Sequence, residues 1–301
     1  MYDVVIIGAG PAGLTASIYA RRNNKKVLVL EGVSYGGQII NTPSIDNYPA
    51  LKGISGFDYS VNLYNQSISF GTEYKTENVI SIKDGNDYKE VTTNKNTYKT
   101  KTIIIATGAY NRLLGVDREK ELTGKGVSYC ATCDGNFFKG KEVAVVGGGN
   151  TAVEDAIYLT NIVSKVYIIL RRDEFRADDR LVEELKNKEN VEIIYNSQVV
   201  KLNGENSLES ITIKDKDNNT KDLNVSCVFV CVGRIPQSDI FKGIIDLDEY
   251  GYIIVGEDCH TNKEGIFVCG DVRTKTLRQL VTATSDGAIA ADEAIKYVNS
   301  K

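Results

Sequence analysis

The stretch "DVVIIGAGPAGLTASIYARR", residues 3–22, decides the fold. A short apolar run ends at Gly8, and Gly8, Gly10 and Gly13 then form G-x-G-x-x-G ahead of a segment with helical spacing. Alone, the glycine pattern is weak. Between a strand and a helix it marks a dinucleotide-binding βαβ unit, because the glycines permit a tight turn and let backbone N–H groups approach a pyrophosphate at the helix N-terminus. The next strand, "KKVLVLEG", ends in Glu31, which can accept hydrogen bonds from a ribose 2′-hydroxyl and would repel a 2′-phosphate. A glycine turn with no ligand is the plain alternative. The strand before it and the acid after it speak against that.

The pattern returns at residues 141–162, "KEVAVVGGGNTAVEDAIYLTNI", with Gly147, Gly149 and Ala152 in the glycine positions. The strand that follows, "SKVYIILRR", ends in Arg171 and Arg172, with Arg176 a turn later. Arginine there suits a 2′-phosphate through paired, charge-assisted hydrogen bonds. "RRDEFR" could instead be a solvated charged turn, and Asp173 and Glu174 lend that weight. One site for a 2′-hydroxyl dinucleotide and one for a 2′-phosphate dinucleotide suggest FAD with NADPH, since two nicotinamides have no hydride to exchange.

Each half continues alike. "SIKDGNDYKEVTTNKNTYKT" and "ITIKDKDNNTKDLNV" read as hairpins or small meanders, and "TIIIATGA" and "CVFVCVGRIP" run into Gly108 and Gly233. The expected fold class is α/β: two doubly wound, Rossmann-like domains of the three-layer ββα type, each with a β-meander. The segment from about 247 holds a strand ending at Gly270-Asp271 and a closing helix, without a sheet of its own. Its economical place is the first domain. The expected division is therefore 1–113 with 247–301 for FAD, and 114–246 as an inserted NADPH domain. Two crossing linkers, near 111–117 and 244–249, make a hinge.

Bulk properties fit this. The chain has 301 residues, 42% hydrophobic and 25% charged, with net charge −4. That is the balance of a soluble globular protein, with nothing to suggest nucleic acid or a membrane surface as partner. "MYDVVIIGAG" reads as a buried strand rather than a signal peptide, and no apolar run approaches the roughly 20 residues of a membrane span. The cytoplasm is the expected compartment, where a close cysteine pair is catalytic or metal-binding rather than a staple.

That pair is "CATCDG", residues 130–135. Zinc would need a second pair, and the sequence has no other Cys-x-x-Cys and a single histidine, His260. A dithiol that takes two electrons from a flavin is the better reading for Cys130 and Cys133, although buried packing thiols stay open. Asp134 would then supply the proton, with its pKa raised by burial. Cys227 and Cys231 lie about 13 Å apart along a strand, too far for a disulfide. They read as packing residues, as do Cys259 and Cys269; His260 reads as a surface or packing residue.

The motifs "GAGPAG", "GGQI", "ATGA", "CATCDG", "GGGNTA", "RRDEFRA" and "GDV…RQ" in this order resemble the low-molecular-weight bacterial thioredoxin reductases over essentially the whole chain. The resemblance implies a homodimeric FAD protein that reduces thioredoxin with NADPH. It implies that Cys133 faces the flavin, Cys130 attacks the thioredoxin disulfide, and Asp134 is the general acid. On the FAD side it points to Gly8, Gly10, Pro11, Ala12, Gly13, Glu31, Gly37, Gln38, Asn47, Thr107, Gly108, Gly270 and Asp271, with Arg278 and Gln279 at the isoalloxazine end. On the NADPH side it points to Gly147, Gly149, Asn150, Thr151, Arg171, Arg172, Arg176 and Gly233. One position departs: the family commonly has histidine just before the arginine pair, where this chain has Leu170. The dithiol and the nicotinamide both need the flavin face, so the inserted domain is expected to rotate on its linkers. The rivals are a ferredoxin- or flavodoxin-dependent reductase, an FAD-dependent dithiol oxidase of the same fold, and a non-catalytic flavin-binding redox sensor. The first two need no second glycine motif, and the sensor needs no intact Cys-x-x-Cys-Asp.

Overall fold

The computed structural model describes residues 1–85 and 87–301. The chain divides into two compact units, Met1–Tyr110 with Ile235–Lys301, and Asn111–Arg234. Residues 235–246, expected in the inserted segment, instead belong to the first unit: Phe241 and Ile245 lie in the same buried cluster as Val5, Ile105 and Val268.

The first unit opens with β1 (Tyr2–Ile7), α1 (Pro11–Arg22) and β2 (Val27–Glu31). Residues Val4–Ile7 of β1 and Val27–Leu30 of β2 are buried, because a parallel sheet covered on both faces has no wet side. α1 starts with proline at its first turn, where the missing N–H costs nothing. A 3₁₀ turn, Gly37–Asn41, leads to α2 (Gly56–Ser69), whose N-cap Ser55 accepts the Asp58 N–H. Then come β3 (Glu73–Thr76), β4 (Val79–Asp84), β5 (Lys89–Thr93), β6 (Thr97–Ile105) and β7 (Ala109–Asn111). The Asp-Gly hairpin between β4 and β5 includes Asn86, outside the described residues.

In the second unit α3 (Glu119–Leu122), β8 (Val127–Ser128) and α4 (Ala131–Asp134) precede the second βαβ run: β9 (Glu142–Val146), α5 (Asn150–Thr160), β10 (Lys165–Ile169), α6 (Asp179–Lys186) and β11 (Val191–Ile194). The meander β12 (Ser197–Asn203), β13 (Ser210–Asp215) and β14 (Thr220–Asn224) follows, then β15 (Cys227–Val230) and β16 (Arg234–Pro236). β17 (Ile266–Val268) and α7 (Leu280–Ser300) close the chain in the first unit.

The first sheet runs β3-β2-β1-β6-β5-β4. β6 is shared: Thr97–Thr100 pairs antiparallel with β5, and Ile103–Ile105 pairs parallel with β17. The second sheet runs β11-β10-β9-β15-β8, parallel throughout. In each unit one buried cluster lies on the helix side of the sheet and another on the meander side. This is the expected three-layer arrangement. In the first unit α7 packs closely on α1, and only glycine allows it: a Cβ on Gly287 would lie 2.2 Å from the Ala12 carbonyl oxygen.

Candidate active site

The three positions of the first glycine motif divide their work. A Cβ on Gly8 (φ +107°) would meet the Ala106 carbonyl oxygen at 2.3 Å, and one on Gly13 would meet the Gly8 oxygen at 2.0 Å. These two glycines let the turn, β6 and α1 close on one another. Gly10 is different: its nearest neighbour would be the Gly37 Cα at 3.9 Å. Gly10 is the N-cap of α1 and brings no side-chain cap, so no capping side chain takes the first-turn N–H groups, the donors a phosphate would use. Glu31 is fixed beside this loop, accepting the N–H of Ala9 at 2.9 Å and of Val33 at 3.2 Å.

Three further predicted segments converge here. The Gly36 N–H donates to the Ala9 carbonyl, which sets Gly37 and the exposed Gln38 against the loop. The 3₁₀ turn Gly270–Val272 brings Asp271 to the start of α1, with a Cβ on Gly270 only 3.0 Å from that of Ala12. Thr107 and Gly108 are tied to Gln237 by two hydrogen bonds, and Gly108 (φ +72°) faces open space. Asn47 and Gln279, 232 residues apart, meet through a 3.0 Å hydrogen bond at the N-terminus of α7. Arg278 is fixed by backbone. Its guanidinium donates to the carbonyls of Asp271, Arg273 and Lys275 and lies 4.0 Å over the Tyr252 ring, so it braces the turn that carries Asp271.

The second loop repeats the division. A Cβ on Gly147 would meet the Cys231 carbonyl oxygen at 2.3 Å, whereas Gly149, the N-cap of α5, has nothing within 4 Å, and neither has Gly233. The strand-end arginines reach this loop through backbone: the Arg176 N–H donates to the Gly148 carbonyl at 2.7 Å. Asn150 and Asp178 exchange two hydrogen bonds of 2.9 Å, which pins residues 176–178 to the start of α5. Arg171, Arg172 and Arg176 are exposed, as is Thr151. Among the described residues no carboxylate forms an ion pair with these three guanidinium groups, so they remain available to an anion. Leu170 is buried, its side chain under Gly148.

Cys130 and Cys133 form a disulfide with Cα atoms 5.3 Å apart. Cys130 is the N-cap of the one-turn α4, and Cys133 and Asp134 lie within that turn. A residue the sequence reading missed organises it. The buried Ser128 hydroxyl donates to Asp134 at 2.6 Å and accepts the Cys130 N–H at 3.1 Å. Burial pushes the Asp134 carboxyl above the usual carboxylate range, and the Ser128 hydrogen bond draws it back part of the way. Such a carboxyl can hold a proton for a leaving thiolate. Ser128→Ala removes the bond that favours the charged form, so the alkaline limb of the turnover–pH curve should move to higher pH. An unmoved limb in the folded variant would count against Asp134 as the acid.

The remaining thiols differ from the dithiol. Cys227, Cys259 and Cys269 are fully buried. Burial raises all three, Cys259 to about 12, and keeps them protonated. Cys231 packs with them in character but also donates its S–H to Asp155 at 3.2 Å, a partner that strand spacing does not reveal. His260 lies at the surface of the first unit, 2.9 Å from Glu293. Among the described residues no helix is long and apolar enough to cross a membrane.

A family model described as pyridine nucleotide-disulphide oxidoreductase matches residues 2–287. The thioredoxin reductase of Listeria monocytogenes is 44% identical over 300 residues, 99% of this chain and 94% of that protein. That of Bacillus subtilis is 43% identical over 300 residues, 99% of this chain and 95% of that protein. The crystal structure of thioredoxin reductase from Streptococcus pyogenes superposes with a TM-score of 0.96 at 42% identity, covering 100% of this chain and 99% of that one. With two glycine loops, a disulfide ahead of the second and full-length likeness of sequence and fold, the chain belongs to the pyridine nucleotide-disulphide oxidoreductases and, within them, to the thioredoxin reductase family.

Proposed function

We propose that this protein is an NADPH-dependent, FAD-containing thioredoxin-disulfide reductase. The observation that carries the reading is the disulfide Cys130–Cys133 on a single helical turn, with a part-buried Asp134 clamped beside it by the Ser128 hydroxyl. The first glycine loop, Glu31, Gln38 and the Asp271 turn would hold FAD, and the second loop with Arg171, Arg172 and Arg176 would hold NADPH. FAD, when bound, supplies a carrier that accepts hydride from a nicotinamide and can pass two electrons to a disulfide.

The chain's own residues then work as follows. Two electrons and two protons convert the disulfide to two thiols, with Cys133 on the flavin side. Cys130, as thiolate, attacks one sulfur of the thioredoxin disulfide. The other thioredoxin sulfur leaves as a thiolate and takes the proton held by Asp134. Cys133 next attacks the mixed disulfide, restoring Cys130–Cys133 and releasing dithiol thioredoxin. Two electrons enter and two leave in each cycle.

The test is anaerobic. The purified yellow protein is mixed with NADPH and, separately, with NADH, while the visible flavin absorbance is followed. Fast bleaching by NADPH and slow bleaching by NADH is the expected result. If neither bleaches a flavin that dithionite reduces, the arginine assignment fails, and the donor is a ferredoxin or a small dithiol.

A further inference from the structure

The segment that carries the three arginines is fastened at both ends. At its front, the Leu170 carbonyl accepts the Ser197 N–H at 2.8 Å and the Arg172 carbonyl accepts the Asn196 N–H at 3.1 Å. In its middle, Phe175 packs edge-on against Tyr195, with ring centres 5.9 Å apart. At its back it meets the second glycine loop in step. The Arg176 N–H donates to the Gly148 carbonyl at 2.7 Å, and two residues on, Asp178 and Asn150 exchange their pair of 2.9 Å bonds. Asp178 occupies the N-cap of α6, where an aspartate carboxylate ordinarily accepts a first-turn N–H, yet it makes no such bond. Its Oδ2 instead accepts the side-chain amide of Asn150, the first residue of α5. Both residues are exposed, where water competes for every donor and acceptor, so the exchange adds little to folding stability. What it fixes is the spacing between the arginine segment and the start of α5.

We infer that Asp178 is a specificity-determining positioning residue: through Asn150 it holds the arginine segment to the start of α5, and so sets the preference of the second site for a dinucleotide with a 2′-phosphate. The inference deepens the reductase reading and rests on its assignment of NADPH to this site. In a βαβ site the pyrophosphate lies at the helix N-terminus and the ribose at the end of the second strand. One ligand spans both places, so arginines that select a 2′-phosphate must stand at a set distance from the helix start. Arg171, Arg172 and Arg176 are long, exposed side chains that lose rotamer freedom when they grip an anion. With the backbone already clasped, that is the whole ordering cost. Without the clasp the backbone behind Arg176 must be ordered as well, and the added cost falls on the 2′-phosphate alone. Charge argues the other way. The Asp178 carboxylate is two residues from Arg176, and by charge alone it would oppose an anion there. The two roles therefore predict opposite signs when Asp178 is removed.

The test uses two ligands that differ only in the 2′-phosphate, adenosine 2′,5′-bisphosphate and adenosine 5′-monophosphate, titrated calorimetrically into the flavin-loaded protein at fixed ionic strength. Wild type should bind the bisphosphate more tightly. Asp178→Ala should weaken the bisphosphate about fivefold, the scale of one net hydrogen bond, and leave the monophosphate unchanged. Asp178→Asn keeps an acceptor for the Asn150 amide and should recover most of the loss. Asn150→Ala should lower the same affinity ratio, and adding Asp178→Ala to it should lower it little further, because the two residues act through one contact. An unchanged bisphosphate affinity in Asp178→Ala overturns the inference. A raised one overturns it in favour of a purely electrostatic part, and an equal loss for both ligands overturns it in favour of a structural one. A failure of Asp178→Asn to recover the loss also counts against the clasp. Wild-type protein that binds both ligands equally would refute the NADPH assignment and the selector with it. A wild-type preference that survives intact in Asp178→Ala would leave the NADPH assignment standing and sink the clasp alone.

Discussion

Cys133→Ser is expected to end thioredoxin reduction and to trap the partner. The variant keeps Cys130, which can still attack a thioredoxin disulfide and form the mixed disulfide. Release then requires a second thiolate at position 133. A serine hydroxyl titrates far above a thiol and offers no comparable nucleophile at neutral pH. Losing the reacting atom of a covalent step costs on the order of a million-fold in well-measured enzymes, so turnover should fall below detection. The substitution exchanges sulfur for oxygen, with no change in side-chain length, at a half-buried position on a one-turn helix. Flavin reduction by NADPH should therefore survive. Gel shift without reductant should show a covalent complex of the two proteins, which dithiothreitol dissolves. Cys130→Ser should give the opposite pattern: no turnover and no complex. Sustained turnover in either variant would sink the dithiol as electron carrier.

What the sequence made legible follows from how locally each feature is encoded. The glycine motifs could be read because the backbone needs them within a few residues: Gly8 and Gly147 sit at positive φ against a carbonyl, and no other residue type fits. Parallel strands showed as unbroken apolar runs for the same reason. Cys130, Cys133 and Asp134 share one turn, so their grouping was visible as spacing. Ser128 was not, because its bond to Asp134 depends on β8 ending where it does and on α4 turning back over it. Asp155 and Cys231 come from a helix and a strand 76 residues apart, and nothing in either segment announces the pairing. The bracing role of Arg278 was equally hidden, because its fork is taken up by three carbonyls that only the folded turn gathers around it. The second chain crossing was also illegible. Phe241, at the end of the 3₁₀ turn Asp239–Phe241, and Ile245 just beyond it give no periodic signal, and only burial beside Val5 and Ile105 shows which unit they belong to.

The largest stability loss should come from Asp286→Asn, far from the dithiol. Asp286 lies in α7, and its side chain is only 4% exposed. One oxygen accepts the Gly270 N–H at 3.0 Å, the Arg273 Nε at 2.9 Å and the Lys275 Nζ at 2.7 Å, and the other accepts Arg273 Nη2 at 2.9 Å. Arg273 and Lys275 are themselves buried, with side chains 1% and 4% exposed. Two buried cations thus depend on one carboxylate, and exposed Glu257 adds only a 3.3 Å contact to Arg273. Asparagine keeps the volume but removes the charge and points an N–H₂ at cationic donors. Breaking a buried pair in this way costs about 3–5 kcal/mol, a large share of the 5–15 kcal/mol that holds a typical domain. The urea midpoint should fall accordingly, while Asp292→Asn, at an exposed pair on the same helix, should leave it within error. The pH dependence has a definite sign. Burial pushes the Asp286 carboxyl up, but Arg273 and Lys275 outweigh it and hold the folded value below the ordinary one. Its contribution is therefore fully present above the ordinary aspartate range and disappears as pH falls through the lowered folded value. The gap between wild type and Asp286→Asn should be widest near neutrality and narrow below about pH 4. Because Arg273 and Gly270 flank the turn that carries Asp271, the variant should also release flavin more readily on dilution. A stability loss no larger than that of Asp292→Asn, with flavin retained, would show that the buried cations find other partners and that Asp286 does not anchor the turn.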